Sequence, residues 1–152
     1  MPMTVSEMAD RAGKQGAAKD TFIERVHYWT RERLLSPLGK RNPGTGRHRV
    51  YDDSALEDAL ILDTLAEMGL PIGVQENALK LARSERATWR EKAQRGVNLF
   101  LEIAMLPGGR LVHLHEGNVF MANGQAVSAI IFNLTKLFAA FAALDKTGGG
   151  ND

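Results

Sequence analysis

The chain has 152 residues, 44% hydrophobic and 24% charged, with a formal net charge of +1 and no cysteine. That length fits one ordinary domain or two small ones and is too short for a large barrel enzyme, and the charge content is that of a globular chain rather than a disordered one. The absence of cysteine excludes disulfides, thiolate metal sites and a cysteine nucleophile.

The first residues, Met1-Pro2-Met3-Thr4-Val5, lack the basic start and apolar run of a signal peptide, so a cytoplasmic location is expected. Thr4-Val5-Ser6-Glu7 has capping-box spacing, a hydroxyl followed three residues later by a carboxylate. It predicts a short first helix with Met8, Ala9 and Ala12 as its apolar stripe and Gly13 as its stop. Residues 14–19 read as a loop, with Asp20 or Thr21 capping a second helix. There Phe22, Val26 and Trp29 recur at i, i+4 and i+7 and share one face. Glu24, His27, Tyr28 and Arg31 point the other way, with Arg25 on the flank. Residues 39–51 have turn residues in the middle and basic residues on both sides, the pattern of a short hairpin presenting arginines. Asp52, Asp53 and Ser54 supply the start of a third helix that ends near Met68-Gly69.

A fourth helix is predicted over 74–94, a charged connector. Beyond Gly96 the period changes to two. Leu99, Leu101, Ile103 and Met105 alternate with their neighbours, Pro107-Gly108-Gly109 turns the chain, and residues 110–115 alternate again. Residues 119–121 offer a third strand, and 126–144 read as an apolar helix. Asn133, Thr135 and Lys136 near its middle argue against a membrane span. Its apolar residues are too many for one face, which predicts a second copy covering the rest. In that setting Asn133 would fix register at a dimer interface or sense a ligand. Residues 147–152 form a predicted disordered tail.

Charge is distributed unevenly. Residues 1–50 hold ten Lys and Arg against five Asp and Glu, whereas residues 51–76 hold seven acids and no Lys or Arg. A basic segment of this kind suits an anionic polymer, although a charge run is more often a solvated face. Arginine and tyrosine on the outer face of the second helix reach phosphates, and arginine pairs bidentately with guanine.

Four blocks in order resemble the DNA-binding domain of the MerR family of transcriptional regulators: Thr4-Val5-Ser6-Glu7-Met8-Ala9 with Ala12-Gly13; Val26-His27-Tyr28-Trp29 with Leu34-Leu35-Ser36-Pro37; Gly46-Arg47-His48-Arg49-Val50-Tyr51-Asp52; and Leu65-Ala66-Glu67-Met68-Gly69. The resemblance implies a winged helix-turn-helix over residues 1–73 whose second helix enters the major groove, with the glycine-arginine hairpin as wing. It also implies homodimers on near-palindromic operators. Three features depart from the family pattern. The turn after the first helix is longer, taking in residues 14–20; His27 stands where arginine is common; and Arg33 stands where glycine is common.

His113 and His115 share a strand face beside Glu116, but exposed or hydrogen-bonded histidines are the more ordinary reading than a metal site. Phe100, Phe120, Phe132 and Glu102 supply the aromatics and the acid that a multidrug pocket needs, but nothing in their spacing demands one. No catalytic, cofactor or metal motif emerges from the sequence.

The resulting expectation is a mainly helical α+β chain: a winged-helix domain over 1–73, a connector over 74–95, and a β-hairpin plus helix dimerisation domain over 96–146. It would be a nucleoid-associated, homodimeric regulator of transcription with double-stranded DNA as partner. Arg25, His27, Tyr28, Arg31, Arg47, His48, Arg49, Tyr51, Lys14 and Lys19 are the expected DNA contacts. The alternatives are a DNA-architectural or recombination accessory protein and a winged-helix module that binds protein.

Overall fold

The capping box forms as its spacing predicts. Thr4 Oγ1 accepts from the Glu7 amide at 3.3 Å, and the Glu7 carboxylate accepts from the Thr4 amide at 2.6 Å. The Thr4 amide, and then the Thr4 hydroxyl donating to the same carboxylate at 2.9 Å, pull the Glu7 carboxyl below its ordinary range. The capping box starts α1 (Val5–Arg11), directly after β1 (Met3–Thr4). The computed structural model describes residues 1–40, 44–46, 48–116 and 128–137. It is a mixed helix-and-strand structure that divides into two units, one of residues Met1–Leu70 and one beginning at Pro71.

In the first unit, α2 spans Gly16–Arg31, longer at its start than the sequence suggested. The loop expected over 14–19 is therefore short. Ala17 and Ala18 extend the helix backwards, and Thr21 donates to the Ala17 carbonyl at 3.0 Å instead of capping. Phe22, Val26 and Trp29 are all buried on one face, as their spacing predicts. β2 (Val50–Tyr51) pairs antiparallel with β1, placing Met3 opposite Tyr51 and Thr4 opposite Val50. Val50 also makes an antiparallel bridge with Leu38. Asp52 then caps α3 (Asp53–Glu67) by accepting from the Ala55 amide at 2.8 Å. Asp53 pairs with Arg11 at 2.7 Å, which lowers its carboxyl pKa. These roles account for the acids at the start of α3. The core of the unit joins Met8, Ala9, Phe22, Val26, Trp29 and Leu35 to Leu56, Ile61, Leu62 and Leu65.

In the second unit the predicted connector is two helices, α4 (Ile72–Ser84) and α5 (Arg86–Gln94), broken at Glu85. The break is stabilised by side chains that take carbonyls at the end of α4. Ser84 Oγ donates to Leu81 at 2.8 Å and the buried Trp89 indole donates to Ala82 at 3.1 Å. β3 (Leu99–Leu106) and β4 (Gly109–Glu116) form the predicted hairpin around Pro107-Gly108, with Glu102 opposite His113. Glu102 is only 3% exposed.

The apolar helix predicted over 126–144 is corrected at its start. Residues Ser128–Asn133 are a strand, β5, on the other side of β3, giving the order β4-β3-β5. A continuous apolar run does not by itself distinguish a buried strand from a buried helix, and Ile130, Ile131 and Phe132 suit a strand. The helix begins only at Leu134. Asn133 is its cap, accepting from the Lys136 amide at 3.0 Å while donating to Asn98 at 3.0 Å. Asn133 thus ends β5 and caps the following helix, where the sequence placed it within a helix. The strand predicted at 119–121, the helix beyond 137 and the tail lie outside the described residues. Among the described residues no helix is long and apolar enough to cross a membrane.

Candidate nucleic-acid interface

The period of α2 buries Phe22, Val26 and Trp29 and thereby turns His27, Tyr28 and Arg31 outward. Tyr28 is 39% exposed, and the Arg31 guanidinium lies 6.0 Å from its ring centroid. The segment leading into β2 meets this face. Arg49 Nη1 lies 3.5 Å from His27 Nδ1, and His27, His48 and Arg49 line one cleft of about 340 Å³ with Thr4, Ser6 and Ile23. Burial, and then the charges of Arg49 and Arg31, hold the His27 imidazole below its ordinary pKa, so it is neutral at pH 7. One surface thus gathers two arginines, two histidines and a tyrosine, the residue types that contact a phosphate backbone and base edges.

Other expected contacts are engaged elsewhere. Arg25 Nη1 lies 2.6 Å from Asp63 Oδ1, and Lys14 Nζ lies 2.6 Å from Asp63 Oδ2 and 3.1 Å from Glu67. Burial opposes the charge on Lys14, but these two carboxylates outweigh it and raise the lysine pKa. Lys19 pairs with Asp10 at 2.5 Å. Arg47 lies outside the described residues.

Tyr51 is corrected from a DNA contact to a core residue. It is 0% exposed, and its hydroxyl lies 2.8 Å from Thr30 Oγ1. Thr30 gives its own proton to the Val26 carbonyl, so the Tyr51 hydroxyl is the donor of that pair. A side chain sealed in this way reaches no external phosphate.

Sequence reasoning missed Asp63, the buried carboxylate that holds Lys14 and Arg25. Its only sequence signal is an acid on the apolar side of α3, between Leu62 and Leu65. Compared with protein-family models and with curated proteins, the chain matches none.

Proposed function

We propose that this chain binds double-stranded DNA through its first unit, as a MerR-like winged helix-turn-helix regulator of transcription. The observation that supports this is the single cationic surface made by α2 and the segment before β2, with His27, Tyr28, Arg31, His48 and Arg49 on it. On this reading α2 enters the major groove and the loop between Leu38 and Val50 acts as the wing against the backbone. Two copies, paired through residues 96–146, would read the two halves of a near-palindromic site.

The test is capture of sheared genomic DNA by the purified protein at two salt concentrations, with the recovered fragments sequenced. Enrichment of an inverted repeat at promoters, weakening steeply with salt, is the expected result. Salt-sensitive capture spread evenly over the genome replaces a regulator with an architectural protein. No salt-dependent capture rejects DNA binding. The variant Arg49→Ala should lower the salt slope by about one, the share of a single phosphate neutralised by that side chain.

A further inference from the structure

In the first unit, α1, α2 and α3 end with the same hydrogen-bonded closure. After α1, Gly13 takes φ +70° while the Lys14 amide reaches the Ala9 carbonyl at 2.9 Å. After α3, Gly69 takes φ +73° and the Leu70 amide reaches Leu65 at 3.1 Å. After α2 the Leu34 amide reaches Trp29 at 2.8 Å, but the left-handed residue is Arg33, at φ +63°. Glycine adopts this conformation without steric penalty, whereas an L-residue brings its Cβ against the following carbonyl. Arg33 is the one non-glycine residue with positive φ among the described residues. Leu34 and Leu35, buried directly after it, enforce the turn.

The guanidinium does nothing visible for the fold. Arg11, Lys14, Lys19 and Arg25 each meet a carboxylate in the first unit. Arg33 is exposed, and among the described residues its guanidinium makes no hydrogen bond, ion pair or ring contact. Complementing the carbonyl end of α2 is already within the reach of Arg31, in the helix's last turn. A strained backbone bearing an unengaged charge, at the end of the helix whose outer face is the candidate interface, points to use outside the chain.

We propose that Arg33 contacts a DNA phosphate, and that its left-handed backbone is kept at a cost in stability for that contact. The proposal rests on the DNA-binding reading above. It is tested on the full chain with Arg33→Gly, Arg33→Ala and Arg33→Lys, measuring melting temperature and the affinity for a fluorescein-labelled random-sequence duplex across a salt series. Arg33→Gly should melt higher by roughly 4 °C. It should bind about eightfold more weakly near 0.1 M salt, with a salt slope smaller by about 0.9. Arg33→Ala keeps the Cβ and removes the charge, so its affinity should fall without the thermal gain. Arg33→Lys should retain most of the affinity at an unchanged melting temperature. Wild-type affinity and slope in Arg33→Gly overturn the phosphate contact while sparing the DNA-binding reading. No thermal gain in that variant overturns the stored strain. A wild-type chain with no salt-dependent affinity overturns the DNA-binding reading and this proposal together.

Discussion

Replacing Asp63 by asparagine tests how the first unit is held together. The carboxylate is 4% exposed and accepts from Arg25 and Lys14, each at 2.6 Å, tying α2 and the turn after α1 to α3. A hydrogen bond to a charged group contributes about 1.5–3 kcal/mol, so two give roughly 3–6 kcal/mol before any relaxation. Asparagine still offers one oxygen to one of the cations. Arg25 and Lys14 keep 27% and 21% of their side-chain surface in water and can hydrate once released. Discounting by half leaves a destabilisation of about 1.5–3 kcal/mol. The assay is urea unfolding followed by tryptophan fluorescence in a Trp89→Phe background, where the buried Trp29 reports on the first unit alone. A destabilisation below about 0.5 kcal/mol, the range of an ordinary surface substitution, refutes the claim that this carboxylate organises the unit. The same variant bears on DNA. Asp63 offsets part of the charge of Lys14 and Arg25 in the native chain, so removing its charge should raise affinity for non-specific duplex.

Other predictions follow from single interactions. Thr4→Ala removes the hydroxyl half of the capping box and should cost about 1 kcal/mol in urea unfolding. Tyr51→Phe removes a buried hydroxyl bonded to Thr30 and should cost about 1 kcal/mol while leaving DNA affinity unchanged; a large drop in affinity at unchanged stability would restore Tyr51 as a DNA contact. His27 gives a pH dependence. Its folded pKa lies below the unfolded value of about 6.5, so the unfolded chain takes up the proton first and this residue's share of stability falls as pH drops below that value. DNA affinity should move oppositely, rising as His27 gains a proton beside a phosphate, with a shallower rise in His27→Gln. Identical pH profiles for the two proteins would show that His27 takes no part.

Much of the first unit was legible because its signals are local. The capping box, the i, i+4, i+7 spacing of Phe22, Val26 and Trp29, and Asp52 at the head of α3 each lie within one turn or two of helix, and each forms as its spacing predicts. The errors lie where local signals were ambiguous. Residues 16–20 contain Gly, Ala and Lys, which suit a loop and a helix almost equally, and helix formation won. Residues 128–133 are apolar throughout most of their length, so no period identified a strand, and β3 supplied a free edge for them to join. The break at Glu85 depends on an indole seven residues beyond the carbonyl it caps, a spacing that no start or stop rule describes.

The charge pattern shows most directly why a site is harder to read than a fold. In the sequence, Lys14, Lys19 and Arg25 count equally with Arg31 and Arg49 as basic residues before an acidic stretch. In the structure the first three are each claimed by a carboxylate, and Lys14 and Arg25 share one, Asp63, that lies far along the chain from both. The excess of cations over acids in residues 1–50 therefore does not spread over the unit. Part of it is consumed in joining α1, α2 and α3, while Arg31 and Arg49 stand beside Tyr28 and His27. Two guanidinium groups beside a partly buried imidazole oppose a further positive charge, which adds to the effect of burial in keeping His27 neutral. An anion placed among them relieves that repulsion, so the arrangement favours a bound phosphate over an empty surface. The acids of α3 thus take part in DNA binding, on the function proposed for this chain, by deciding which cations are drawn away from it.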